Sequence, residues 1–209
     1  MYAVVEGIDG SGKDTQADIL VSRLRDLELH PIKVSEPCEN NPQGQLLRKL
    51  LASGEHPESH AALFLADRLT LLTSRISEWL KQDLEVISSR SFISTLVYQQ
   101  EQWPLDWLLQ IHRVMPLWPD VIIWVDVDPP KGLERVGKRA LRKEHYERID
   151  IQVRNQQRFR DLLEGKDKDA LLALFPKPPT IIIVDGEAPR VVVHDRIWEG
   201  LTKAGFYTP

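Results

Sequence analysis

Three observations predict an α/β fold built on a doubly wound parallel five-stranded sheet flanked by helices. Apolar runs of strand length recur, longer segments of helical character separate them, and a glycine-rich loop joins the first run to the first helix. The strands are Ala3–Ile8, Ile32–Ser35, Leu84–Ser88, Val121–Val125 and Thr180–Val184. Several are nearly unbroken Val, Ile and Leu, the composition of strands covered on both faces. Helices are expected over Asp14–Leu27, Gln43–Ala52, Ala61–Lys81, Asp106–Val114, Lys131–Arg142, Gln152–Leu163 and Arg190–Ala204, the last entered from Pro189. Such alternation imposes right-handed crossovers, and ligands then gather beyond the carboxyl ends of the strands.

Composition narrows the function classes. The chain has 209 residues, 42% hydrophobic and 28% charged, which suits one domain over 1–209 and excludes disorder. The charged stretch Gly165–Asp169 reads as a surface loop rather than a domain boundary. A net charge of −4 argues against nucleic-acid binding by bulk charge. A lone cysteine, Cys38, builds neither a disulfide scaffold nor a zinc site. No apolar stretch reaches membrane-spanning or signal length, so a cytoplasmic protein with no membrane partner is expected.

Chemistry concentrates after the first strand. In Glu6-Gly7-Ile8-Asp9-Gly10-Ser11-Gly12-Lys13-Asp14-Thr15, Gly7, Gly12 and Lys13 have phosphate-loop spacing. Glycines let successive N–H groups curl around one anion at the positive end of a helix, and Lys13 reaches terminal phosphates. Gly7, Asp9, Gly10, Ser11, Gly12, Lys13, Asp14 and Thr15 are therefore the expected ATP-binding residues. Asp14 stands where a magnesium-ligating Ser or Thr is usual; its carboxylate either takes over the metal or repels phosphate.

The chain from Val5 to about Leu201 resembles the thymidylate kinases, phosphate-loop nucleoside monophosphate kinases, in four regions. These are the loop with Thr15-Gln16; Ser35-Glu36-Pro37 with Pro42 and Gly44; Leu63-Phe64-Leu65-Ala66-Asp67-Arg68; and Ser88-Ser89-Arg90-Ser91 with Ser94, Tyr98 and Gln99. The resemblance implies a phosphate-loop kinase fold with a small lid, ATP as donor, Mg²⁺ as cofactor and a homodimer. It implies that Asp9 approaches the acceptor 3′-hydroxyl, and that Glu36 and its loop line the acceptor phosphate site. Phe64 would stack on thymine, Arg68 would bond base or phosphate, Arg90 would bind the acceptor phosphate, and Tyr98 would lie against the sugar. Ser94 and Gln99 complete the acceptor set. On spacing alone Phe64 equally suits a core position, and Glu36-Pro37 an ordinary turn.

Two departures stand out. Ser89 replaces the aspartate usual before Arg90, and Ser91 replaces an aromatic residue. A carboxylate missing at Ser89 and gained at Asp14 suggests a compensating exchange. The arginine common beside the Glu-Pro loop is also absent, with Ser35 and Glu39 in its places.

From Lys131 to Arg148 seven basic residues face three acidic ones, and Arg135, Arg139 and Arg142 share a helical face. Alone, this is a solvated surface or an anion-binding one. The resemblance makes 131–148 the lid, with Arg139 and Arg142 neutralising the moving phosphoryl group beside Lys13 and Arg90. The expected reaction is ATP-dependent phosphorylation of dTMP to dTDP. A kinase of another deoxynucleotide or a deoxynucleoside, and a catalytically weak nucleotide-binding homologue, stay open.

Overall fold

The computed structural model describes residues 1–137 and 148–208. Five parallel strands form one sheet in the order β2-β3-β1-β4-β5. They are β1 (Tyr2–Glu6), β2 (Pro31–Ser35), β3 (Glu85–Ser89), β4 (Val121–Asp126) and β5 (Thr180–Asp185). The helices are α1 (Lys13–Asp26), α2 (Pro42–Ser53), α3 (His60–Leu71), α4 (Ser77–Lys81), α5 (Phe92–Tyr98), α6 (Leu105–His112), α7 (Pro129–Gly137), α8 (Ile149–Leu163), α9 (Lys168–Leu172) and α10 (Arg190–Lys203). No helix among the described residues is long and apolar enough to cross a membrane.

Alternation along β1 shows why the strands read as unbroken apolar runs. Tyr2 and Val4 join Val86, Ile122 and Trp124 in a core with residues of α3, α5, α6 and α8. Ala3 and Val5 join Ile87, Val121 and Ile123 in a second core under α1 and α10. Each residue is covered whichever way it points, so the sequence need not alternate.

Several bounds differ from expectation. β1 stops at Glu6, because Gly7 at φ 155° turns the chain into the loop, where Ile8 is still buried. The stretch expected as one helix over Ala61–Lys81 contains a π-helical turn at Leu72–Ile76. There Thr70, Thr73, Ser74 and Ser77 hydroxyls donate to carbonyls four residues back, giving the widened turn alternative partners. The charged stretch Gly165–Asp169, expected as a surface loop, already enters the short α9 at Lys168. α5 had no expected counterpart; it starts because the Ser91 hydroxyl accepts from the Ile93 amide at 3.2 Å. The expected helix over Lys131–Arg142 is described as far as Gly137, and Arg139 and Arg142 lie outside the described residues.

Candidate functional site: two clefts divided by the phosphate loop

The loop between β1 and α1 is built from close backbone approaches. Gly10 has φ 78°, and a Cβ there would lie 2.0 Å from the Gly132 carbonyl oxygen at the start of α7. Gly12, at φ 93°, forms the N-terminal boundary of α1 with open space around it. Lys13 is buried, its Nζ 3.4 Å from the Ile8 carbonyl oxygen and 3.8 Å from Asp9 Oδ1. Burial and neighbouring Arg90 lower its pKa.

A cleft opens on each side of this loop. The smaller, about 320 Å³, is lined by Gly10, Ser11, Gly12, Thr15, Arg135 and Arg190, with Gln16, Gly186, Ala188 and Val193. Arg135 donates to the Gly186 carbonyl at 3.1 Å, joining α7 to the turn after β5. The larger, about 440 Å³, is lined by Asp9, Asp14, Glu36, Phe64, Arg90, Ser94, Tyr98 and Gln99, among others. Of the residues expected to bind ATP, Gly10, Ser11, Gly12 and Thr15 line the smaller cleft, Asp9 and Asp14 line the larger, and Gly7 and Lys13 line neither; of those expected for the acceptor, all but Arg68 line the larger.

Asp9 is held from two directions. Arg90 Nη2 bonds Asp9 Oδ1, and Gln152 Nε2 donates to Asp9 Oδ2 at 2.9 Å. Burial opposes ionisation of Asp9, yet Arg90, Lys13 and the Gln152 amide outweigh it and hold the carboxyl below its usual range. Arg90 itself has a left-handed backbone, φ 69°, and its guanidinium lies 5.1 Å from the centroid of the Tyr98 ring. Burial pushes the Tyr98 hydroxyl well up, so it stays neutral.

The exchange expected between Ser89 and Asp14 has a direct geometric counterpart. The Ser89 hydroxyl donates to Asp14 Oδ1 at 2.5 Å, so a carboxylate on α1 occupies the space beside the end of β3. Burial would raise the Asp14 pKa; Lys13, the Ser89 hydroxyl, Arg90 and Lys33 together lower it.

Arg68 stands behind the cleft wall rather than in its lining. It is 1% exposed, with Nε 2.8 Å from Glu36 Oε2 and Nη2 3.0 Å from the Thr95 hydroxyl. Its Nη1 lies 2.9 Å from His112 Nε2. Burial and Arg68 push His112 down to about 3, so the ring is neutral; its Nδ1 donates to the Leu108 carbonyl and Nε2 accepts. Glu36 keeps Oε1 buried without a hydrogen-bond partner among the described residues, and burial raises its pKa against the pull of Arg68. In the same cleft wall Gln99 Oε1 and Nε2 also have no partner among the described residues. Asp67 fixes the loop after β2, accepting from the Cys38 amide at 2.7 Å and from Asn41 Nδ2 at 2.8 Å.

Three residues that line the clefts or hold the loop lack a strong local signal. Arg48 lines the larger cleft and donates to the Pro37 carbonyl at 2.6 Å, bringing an arginine to the Glu-Pro loop from α2. Its only trace in sequence is that it follows Gly44 by one helical turn, next to the buried face of α2. Gln152 and Arg190 reach the loop region from distant segments, with nothing nearby to mark them.

The sequence pattern of the family described as Thymidylate kinase matches residues 5–197. Among curated proteins, the chain is 34% identical over 197 residues to a protein named probable thymidylate kinase from Methanospirillum hungatei, covering 91% of this chain and 94% of that one. It is 35% identical over 164 residues to a thymidylate kinase from Xylella fastidiosa strain 9a5c, covering 78% and 76% of the two chains. A probable thymidylate kinase from Methanothermobacter thermautotrophicus is 40% identical over 142 residues, covering 66% and 70%.

Proposed function

Because the chain belongs to the thymidylate kinase family of nucleotide kinases, we propose that it transfers the terminal phosphoryl group of ATP to dTMP, giving ADP and dTDP. One observation carries this reading: the phosphate loop lies between two clefts, so two nucleotides can meet end to end across it.

The smaller cleft takes the donor. Its phosphates lie on the amides of Gly10, Ser11 and Gly12 at the positive end of α1, with Lys13 reaching across. Arg135 and Arg190 add positive charge at the rim, and Arg139 and Arg142 belong to the same proposal as lid residues. The larger cleft takes dTMP. Phe64 supplies a flat apolar face for the base, worth about 1–3 kcal/mol for a stacked base. Gln99 and Glu36 Oε1 offer unpartnered polar atoms, Tyr98 packs at the sugar, and Arg90 and Arg48 face the phosphate. The attacking phosphate oxygen is already anionic, so the chain's task is positioning and charge neutralisation.

Among the described residues no cluster of three or more His, Cys, Asp or Glu could hold a metal alone. Mg²⁺ commonly binds through one or two carboxylates together with substrate phosphates, and an ionised Asp14 at the cleft fits that requirement. Asp14, with Thr15 beside it, would hold the ion, which when bound neutralises phosphate charge. A homodimer in the cytoplasm is part of the same proposal.

The test is ADP release with ATP, Mg²⁺ and each of dTMP, dCMP, dGMP and thymidine. Turnover highest with dTMP is expected. Preference for dCMP or dGMP would move the acceptor assignment. Preference for thymidine would favour Glu36 as base toward a 5′-hydroxyl, and ATP binding without transfer would mean a scaffold kept for binding.

A further inference from the structure

Glu6 is a buried carboxylate that none of the roles above uses. As the last residue of β1 it points to the same face as Tyr2 and Val4, toward α5, and it is fully buried. Three donors converge on it: the Ser91 hydroxyl at 2.6 Å, the Ser94 hydroxyl at 2.6 Å and the Ser94 amide at 3.3 Å. Among the described residues no basic side chain forms an ion pair with it. A carboxylate buried this way without a cation is costly, and its hydrogen bonds offset the cost only in part, which points to a use.

The Ser94 hydroxyl shows that use. It has one proton, and because a guanidinium can only donate, the oxygen offers a lone pair to Arg90 and its own proton lies toward Glu6 Oε2. Arg90 Nη1 donates to that oxygen at 3.2 Å, while Nη2 of the same guanidinium bonds Asp9. A polarised chain therefore runs Glu6, Ser94, Arg90, Asp9, from the core to the floor of the larger cleft. Ser91 anchors its inner end, since one hydroxyl donates to Glu6 and accepts from the Ile93 amide at the start of α5.

We infer that Glu6 is a positioning residue which, through Ser94, fixes the Arg90 guanidinium in the orientation that receives the acceptor phosphate. The inference rests on the proposed kinase reading for its kinetic arm only. Glu6→Gln preserves shape but brings an amide donor to the carboxylate's place, so Ser94 can no longer direct its proton inward and its lone pair outward. Ser94→Ala removes the link while leaving Ser91 and the Glu6 carboxylate in place.

Three variants decide it: Glu6→Gln, Ser94→Ala and the double. Each single change should raise KM for dTMP about tenfold with KM for ATP unchanged, because the lost contact acts on acceptor binding. The double should be no worse than the worse single variant, the signature of residues in one chain. The second readout needs no substrate. In ¹⁵N-resolved NMR of the free protein, the Arg90 guanidinium should give slowly exchanging Nη signals in wild type and averaged ones in both single variants. Unchanged Arg90 signals would overturn the inference, as would additive kinetic losses or equal losses for ATP and dTMP tracking a fall in Tm. If Glu6→Gln does not fold, Ser94→Ala alone decides by the same two readouts. If wild type does not turn over dTMP, the proposed function fails, and the NMR comparison still settles Arg90.

Discussion

Gln152 and Asp9 lock together across 143 residues of sequence: the Gln152 amide nitrogen donates to Asp9 Oδ2 at 2.9 Å, and the Asp9 backbone amide donates back to Gln152 Oε1 at 3.2 Å. The phosphate loop is thereby tied to α8, the first helix described after the lid segment. Gln152→Ala should lower kcat/KM for dTMP about tenfold or more, since a hydrogen bond to a charged group contributes about 1.5–3 kcal/mol. Gln152 is fully buried and both of its bonds to Asp9 are lost from the free protein as well, so the melting temperature should fall too. Steady-state kinetics with a melting curve checks both.

Arg68 should act through stability before it acts through binding. Arg68→Met leaves Glu36 buried without its cation, which costs about 3–5 kcal/mol when one partner of a buried pair is removed. The folded Glu36 pKa is raised above 4.5, so its proton is bound more tightly in the folded state, and stability from this group falls as pH rises through the folded value. In the variant a neutral Glu36 needs no partner. The deficit should therefore be largest near neutral pH and shrink on acidification, as urea unfolding at two pH values would show.

Asp14 carries the opposite sign. Its folded pKa is lowered below 3.8, so its contribution is present above 3.8 and lost as pH falls through the folded value. The stability gap between wild type and Asp14→Asn should hold from neutral pH to about 4 and close below it. The same substitution should weaken Mn²⁺ binding in the presence of a non-hydrolysable ATP analogue, read by electron paramagnetic resonance. Unchanged metal affinity would remove Asp14 from the metal site.

Two loop glycines should respond differently to alanine. At Gly12 the new Cβ meets nothing within 4 Å among the described residues, so the cost is left-handed strain, about 1–2 kcal/mol. At Gly10 it would collide with the Gly132 backbone at 2.0 Å, so the loop and α7 must separate. Gly10→Ala should therefore lose more stability and more ATP affinity than Gly12→Ala, by thermal unfolding and nucleotide titration.

The fold and the phosphate loop were legible in the sequence because both rest on local rules. Unbroken apolar runs of strand length mark Val121–Val125, covered on both faces, and Thr180–Val184, at the sheet edge, as strands without any knowledge of their neighbours. Gly7, Gly12 and Lys13 mark the loop because backbone curvature and one cation are set within seven residues. Asp14 and Ser89 were linked in the sequence only as one carboxylate gained and one lost; that their side chains meet in a hydrogen bond is decided by the packing of α1 against β3.

Tertiary structure alone decided what crosses between elements. Arg68 shares its helix face with Phe64, yet only the approach of Glu36, Thr95 and His112 turns it into the wall while Phe64 lines the cleft. Arg48 reaches the Glu-Pro loop from α2, and Gln152 reaches Asp9 from α8, through hydrogen bonds between residues far apart in sequence. Helical and strand periodicity is a property of neighbouring residues. The partner of a buried polar atom is a property of how the layers pack, because burial obliges each such atom to find a bond wherever the fold brings one.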